Sequence, residues 1–155
     1  MCHDAVAPTP WDVPMLKGID PLLGPDLLRV LAAMGHGDEV VIVDANFPAE
    51  ANARRLVRLD GVDATRAAEA ILSVLPLDEY VEAPAAVMAV AGDPDAEPPV
   101  VTGFRRIAAT AHGAPVSFER VERFAFYERA RQAFAIVATG ERRLYGNVIL
   151  TKGVL

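Results

Sequence analysis

The residue whose setting most suggests chemistry is a histidine between two glycines, in the segment Gly35-His36-Gly37-Asp38. Glycines permit unusual backbone angles and leave the imidazole uncrowded. Histidine titrates near neutral pH, which suits it to proton transfer. The alternative is that His36 only hydrogen-bonds a loop carbonyl, and the segment by itself leaves both interpretations open.

Two charged residues stand at the ends of predicted elements. Asp44 follows the apolar run Glu39–Val43, at the end of a strand where sheet ligands often bind, although an aspartate there can equally cap a turn. Arg123 precedes a predicted helix, where a cation is unfavourable by about 0.3–1 kcal/mol. Either a ligand holds Arg123 there, or a surface ion pair with Glu119 or Glu122 does.

The segment Tyr145-Gly146-Asn147 places two polar side chains before an apolar run, residues 148–150. We predict that the segment lies on the last strand, so that Tyr145 and Asn147 point to one face. Buried polar groups need hydrogen-bond partners. A polyhydroxy ligand or a neighbouring subunit would supply them.

Known cofactor and metal motifs are missing from the sequence. Residues 35–40 resemble the start of a dinucleotide fingerprint, but the third glycine is replaced by Val40, and the segment precedes a strand instead of following one. His3, His36 and His112 lack metal-ligand spacing. Neither serine lies in a nucleophile elbow, and there is no phosphate-binding glycine loop with lysine. We therefore expect no metal and no organic cofactor.

The composition is that of one globular domain. The chain has 155 residues, of which 52% are hydrophobic and 23% charged, and its net charge of −6 argues against a nucleic-acid partner. No apolar run approaches the roughly 20 residues that cross a bilayer, and no signal-peptide pattern is visible. With Cys2 as the single cysteine, we expect a cytoplasmic protein without membrane contact. Residues 1–14, rich in proline and small residues, are predicted to form a flexible arm, and residues 15–155 the domain.

Helical and strand patterns alternate along the domain. A helix should begin at Pro25 and end near Met34, and another should begin after Asp63 as N-cap and end before Pro76. The remaining predicted elements are strands at 39–43, 86–90, 116–121, 134–139 and 144–150, a helix at 100–111 and a short helix near 124. The last two strands look like a hairpin with a tight turn around Gly140. We predict an α/β fold, a single-domain mixed-sheet sandwich with flanking helices.

Five segments, in this order, closely resemble L-fucose mutarotases, which share a superfamily with D-ribose pyranase. They are residues 15–19, 34–39, 44–48, 122–130 and 144–150, and segments 76–82 and 139–141 also resemble the fucose branch. The resemblance runs from Met15 to Leu155. It implies a D-ribose pyranase-like fold and a ring-shaped homo-oligomer, typically a decamer of two stacked pentamers, with sites near subunit contacts.

The resemblance also implies roles for individual residues. His36 would transfer protons, and Asp44, Arg123 and the segment Tyr145-Gly146-Asn147 would contact a monosaccharide. We add the hypothesis that Tyr145 assists His36 in catalysis. The pyranase branch has a histidine where this chain has Arg123, which favours L-fucose as substrate. Pyranose–furanose isomerisation of the D-ribose pyranase type, a non-catalytic monosaccharide-binding oligomer and a purely structural protein remain alternatives.

The spacing of His36 and Asp44 constrains any shared site. If residues 39–43 are extended at about 3.3 Å per residue, the two side chains lie some 20 Å or more apart. One pocket could hold both if the glycines fold His36 back along the strand, or if a neighbouring chain contributes one of them. We therefore predict a site between subunits.

Overall fold

The computed structural model describes residues 15–155, so the predicted arm at residues 1–14 lies outside the described part of the chain. Within residues 15–155, five helices and six strands follow one another. The helices are α1 (Pro25–Ala33), α2 (Ala49–Asn52), α3 (Ala64–Leu72), α4 (Pro99–His112) and α5 (Arg123–Gln132). The strands are β1 (Glu39–Val43), β2 (Leu56–Leu59), β3 (Ala85–Met88), β4 (Phe118–Val121), β5 (Ala135–Thr139) and β6 (Val148–Thr151).

The strands form one mixed sheet in the order β2-β5-β1-β6-β3-β4. Five strands run in the same direction, and β6 runs antiparallel between β1 and β3. The carboxyl ends of the parallel strands and the amino end of β6 therefore meet at one edge, where β1 ends at Val43 and β6 begins at Val148. We call it the carboxyl edge, and the opposite edge the amino edge.

Helices cover both faces of the sheet. Val40 and Ile42 of β1 pack into one cluster with α1, α3 and α4, whereas Val41 and Val43 pack into a second cluster with α2 and α5. All four side chains are fully buried. The predictions of a mixed-sheet sandwich and of a first strand buried on both faces are confirmed.

Local signals at the helix starts also match the structure. Pro25 occupies the first turn of α1. The Asp63 side chain accepts a hydrogen bond from Arg66 N at 2.7 Å, which confirms the predicted N-cap of α3. Within residues 15–155, no helix is long and apolar enough to cross a membrane.

The predicted hairpin at the carboxyl end of the chain is wrong. β1 lies between β5 and β6, so these two strands do not pair, and residues 140–147 (the β5–β6 loop) cross from one to the other. All three strands are buried almost throughout, and the insertion of β1 gives both β5 and β6 a neighbouring strand on each side. Tyr145, Gly146 and Asn147 lie in this loop and not on β6, so strand alternation does not orient them. Elements α2 and β2 were not predicted.

Candidate active site

A cavity of about 190 Å³ opens at the carboxyl edge of the sheet. Four of the residues predicted to bind a sugar line it together: Asp44, Arg123, Tyr145 and Asn147. Gly146 lies between the last two. The remaining lining residues are Asn46, Phe47, Met88, Ala91, Tyr127 and Leu144. The topology explains this convergence, since the residues after β1, β3 and β4 and those before β6 all lie at this edge.

Asp44 and Asn147 form a buried pair at the base of the cavity, 6% and 3% exposed. The Asn147 amide donates from Nδ2 to Asp44 Oδ2 at 3.2 Å, and its oxygen accepts from Asp44 N at 2.8 Å. Asn46 N also donates to Asp44 Oδ1 at 3.0 Å. Burial raises the pKa of Asp44, and the hydrogen bonds from Asn46 and Asn147 oppose that rise. The cavity thus contains a desolvated carboxylate with a fixed orientation.

Arg123 lies at the rim, at the first residue of α5. Its unfavourable position is offset by the N-cap Glu122, whose side chain accepts from Phe124 N and Ala125 N. The Arg123 Nε donates to the Tyr127 hydroxyl at 3.1 Å, a bond that raises the pKa of Arg123. Arg123 itself is among the residues that line the cavity. Neither of the two ion pairs considered from the sequence holds the side chain directly.

Tyr127 both lines the cavity and packs against the core. Its ring lies 5.2 Å from that of Phe47, edge to face, and 6.3 Å from that of Phe124. The sequence could not distinguish these two positions. The structure shows both: Tyr127 lines the cavity, and the Arg123 guanidinium lies over its ring, 5.5 Å from the ring centre.

Tyr145 has a strained backbone. With φ at +64°, it is the one non-glycine residue in the left-handed region among residues 15–155. Such a conformation costs about 1–3 kcal/mol and persists only where the surroundings enforce it. The Tyr145 hydroxyl accepts a hydrogen bond from Ala91 N at 3.1 Å, which fixes the ring against the segment after β3.

His36 lies at the amino edge, on the far side of β1 from the cavity. Its Nε2 is 3.0 Å from Asp78 Oδ1, and its ring centre is 5.4 Å from that of Tyr80. The imidazole is 46% exposed, whereas the Asp78 carboxylate is 3% exposed. Hydrogen bonds from Tyr80 N and then from His36 lower the pKa of Asp78. Because Asp78 contacts Nε2, the other ring nitrogen of this exposed imidazole remains available for a second hydrogen bond.

The structure therefore separates the predicted site residues into two groups. Within one chain, the cavity residues do not converge with His36, because the length of β1 lies between them. Two residues were missed by sequence reasoning. Asp78 pairs with His36 across 42 positions, and Glu141, described below, contacts both the Asp44 segment and the 145–147 segment. Segment 76–82 carried part of the resemblance, but no local signal connects Asp78 to His36.

Comparisons with known proteins give a consistent result. The sequence profile of the RbsD / FucU transport protein family matches residues 17–155. The human fucose mutarotase is 51% identical over 146 residues, which cover 90% of this chain and 94% of that protein. The crystal structure of the fucose mutarotase of Streptococcus pneumoniae in complex with L-fucose is 42% identical, with a TM-score of 0.82 over 90% of this chain and 99% of that one. RbsD of Bacillus subtilis, complexed with D-ribose, shares the fold, with a TM-score of 0.66, 24% identity and coverage of 86% of this chain and 95% of that one.

Proposed function

The chain belongs to the RbsD / FucU transport protein family, and we propose that it is an isomerase that interconverts the α and β pyranose anomers of L-fucose. The observation that carries this proposal is the cavity at the carboxyl edge. It combines the Asp44–Asn147 pair, Arg123 and Tyr145 in a chain that is 42% identical to a mutarotase crystallised with L-fucose.

The reaction needs only proton transfer. The pyranose ring opens when one group takes the proton of the anomeric hydroxyl and another protonates the ring oxygen. Ring closure on the other face of the carbonyl reverses both steps. Positioned acid–base groups accelerate such a step by about 10²–10⁴-fold, which suffices because mutarotation already proceeds in water.

The hydrogen bonds in the cavity leave capacity for a sugar. The Asp44 carboxylate can accept from sugar hydroxyls, and the second Nδ2 hydrogen of Asn147 can donate to one. The Tyr145 oxygen accepts from Ala91 N, so its own hydrogen is available for the ring oxygen. Arg123 uses Nε for Tyr127, and its remaining donors would orient the ring.

We assign the proton shuttle to His36 of a second copy of the chain. Both groups of site residues carry exposed apolar side chains suited to contact. Beside His36, Tyr80 is 78% exposed. At the cavity Leu144 is 67% exposed, and Phe124, next to Arg123 in the chain, is 69% exposed. A contact between the amino edge of one copy and the carboxyl edge of the next is heterologous, and such contacts form a ring when the rotation between copies closes. A homo-oligomeric ring, of which the decamer is the specific expectation, and a cytoplasmic location are parts of this proposal.

Magnetisation-transfer NMR tests the function directly, because it measures exchange between the anomer signals at equilibrium. We expect the protein to accelerate exchange of L-fucose anomers. Acceleration confined to D-ribose would instead establish the pyranase alternative. Saturable L-fucose binding without faster exchange would establish a non-catalytic binding protein, and absence of both would refute any sugar-directed role.

The variant His36→Ala should lose the acceleration and keep the fold. His112→Ala is the matched control, since His112 does not line the cavity and its Nε2 faces Glu79 Oε1 at 3.6 Å instead of Asp78. Retained exchange in His36→Ala would refute the assignment of the shuttle.

A further inference from the structure

The β5–β6 loop contains a buried carboxylate that the proposed reaction does not use. Glu141 is 2% exposed. Its Oε1 accepts from Arg143 N at 2.9 Å and from Arg143 Nε at 2.7 Å. Its Oε2 accepts from Arg143 Nη2 and from Ala64 N, each at 3.0 Å. Four donors therefore fix the carboxylate against the first residue of α3, and they lower the pKa of Glu141 to about 2.

The loop folds around this side chain. A Cβ placed on Gly146 would lie 2.6 Å from Glu141 Cγ, so the backbone between Tyr145 and Asn147 rests directly on the Glu141 side chain. The absence of a side chain at position 146 is what permits this approach.

The main chain of Glu141 reaches the other half of the cavity. Its carbonyl oxygen accepts from Ala45 N at 2.9 Å, next to Asp44. Its N–H donates to Thr139 Oγ1 at 3.2 Å, and Thr139 in turn donates to Val43 O at 2.7 Å. One residue thus contacts the segments that carry Asp44, Tyr145 and Asn147.

We propose that Glu141 is a positioning residue, which holds Tyr145 in its left-handed conformation and Asn147 against Asp44. The inference rests on the proposed function, since it concerns the same cavity. The strained backbone of Tyr145 requires surroundings that enforce it, and the contact of Gly146 with a fixed carboxylate provides them. A buried charge is retained only where it is fully paired, and the pairing here fixes the loop to α3.

The test compares Glu141→Gln with Asp20→Asn. The Asp20 carboxylate receives two hydrogen bonds from Arg66 of the same helix α3, at 2.8 and 2.9 Å, but lines no part of the cavity. Both variants remove one charge from an arginine pair. Since a displacement of about 1 Å can cost 10²-fold in rate, we expect Glu141→Gln to weaken L-fucose affinity and slow anomer exchange by roughly 10–100-fold. Asp20→Asn should change neither by more than about twofold, because Asp20 shares no hydrogen-bond partner with the cavity residues.

Tyrosine NMR supplies a measurement that does not depend on activity. The chain has three tyrosines, so ring signals from ¹³C-labelled protein can be assigned by substitution. Glu141→Gln should shift and broaden the Tyr145 signals and leave those of Tyr80 unchanged. Arg143→Lys, which keeps the positive charge, should give a smaller effect than Arg143→Ala, and these two variants replace Glu141→Gln if it does not fold.

The outcomes separate the two proposals. Wild-type protein without anomer exchange would refute the proposed function, whereas the Tyr145 signals would still test the positioning role. Wild-type affinity, exchange and Tyr145 signals in Glu141→Gln would overturn the inference. Equal losses in Glu141→Gln and Asp20→Asn would also overturn it, because they would indicate a general effect on stability.

Discussion

Replacing Asn147 by aspartate tests whether the base of the cavity contains a desolvated carboxylate. In the wild type, the Asn147 amide donates to Asp44 Oδ2 at 3.2 Å, with both side chains buried. Asn147→Asp keeps the size of the side chain but replaces that donor with a second carboxylate. The charges would lie about 4 Å apart, and at an effective dielectric constant of about 20 their repulsion is about 4 kcal/mol.

The destabilisation should depend on pH in a defined direction. Two close carboxylates cannot both ionise easily, so the pKa of the pair rises above that of an unfolded aspartate. The contribution of such a pair to stability is present at low pH and is lost as the pH rises through the raised pKa. Wild-type Asp44, whose pKa is also raised, should give a weaker trend in the same direction.

Urea unfolding at fixed protein concentration measures this effect. With a dependence of about 2 kcal/mol per molar urea, a loss of about 4 kcal/mol lowers the midpoint by roughly 2 M near pH 8, and most of the loss should disappear near pH 4.5. Asn46→Asp is the matched control, since it adds the same charge two residues after Asp44 but at an exposed position, and it should change the midpoint little. A pH-independent midpoint in Asn147→Asp, or a change equal to that of the control, would refute the pairing.

Three further predictions follow from other contacts. The ionised Glu141 carboxylate stabilises the fold above its ordinary pKa of 4.5, and this contribution is lost as the pH falls to about 2. Acid should therefore lower the free energy of unfolding of the wild type by up to about 3 kcal/mol more than that of Glu141→Gln. Urea unfolding of both proteins over this pH range, with the same pH dependence in each, would contradict this. Gly140→Ala should lower the free energy of unfolding by about 1–3 kcal/mol, because its Cβ would lie 2.2 Å from the backbone oxygen of Asp60. Thermal melts measure the effect, and Gly61→Ala, with open space around its Cβ, should melt near the wild-type temperature. Asp78→Asn should slow anomer exchange roughly 10–100-fold at unchanged L-fucose affinity, since it releases the imidazole of His36; a change in affinity alone would contradict the assigned role.

The sequence predicted the elements that local chemistry specifies. A few adjacent residues specify the apolar run of β1, the start of α1 at Pro25 and the N-cap of α3 at Asp63. The structure matches all three. The pairing of β1 between β5 and β6 is a non-local property, and a hairpin was the wrong expectation because residues 140–143 resembled a tight turn.

The same distinction applies to the candidate site. Asp44 and Arg123 could be selected because each stands at the end of a predicted element, and Asn147 because it is a polar residue beside an apolar run. The contact of His36 with Asp78 and that of Ala64 with Glu141 join residues 42 and 77 positions apart, and only the folded chain brings them together. The sequence does not predict the positive φ of Tyr145 either, since tyrosine rarely adopts that conformation.

The central claim, that two copies of the chain complete one site, can be tested by complementation. His36→Ala removes the shuttle and Arg123→Ala removes a cavity residue, so each variant alone should be inactive in L-fucose anomer exchange. If the two are co-expressed with different tags and purified as mixed oligomers, random assembly gives about a quarter of the sites an intact His36 and an intact cavity from neighbouring copies. We predict recovery of about that fraction of wild-type exchange. Mixed oligomers no more active than the separate variants would contradict a shared site.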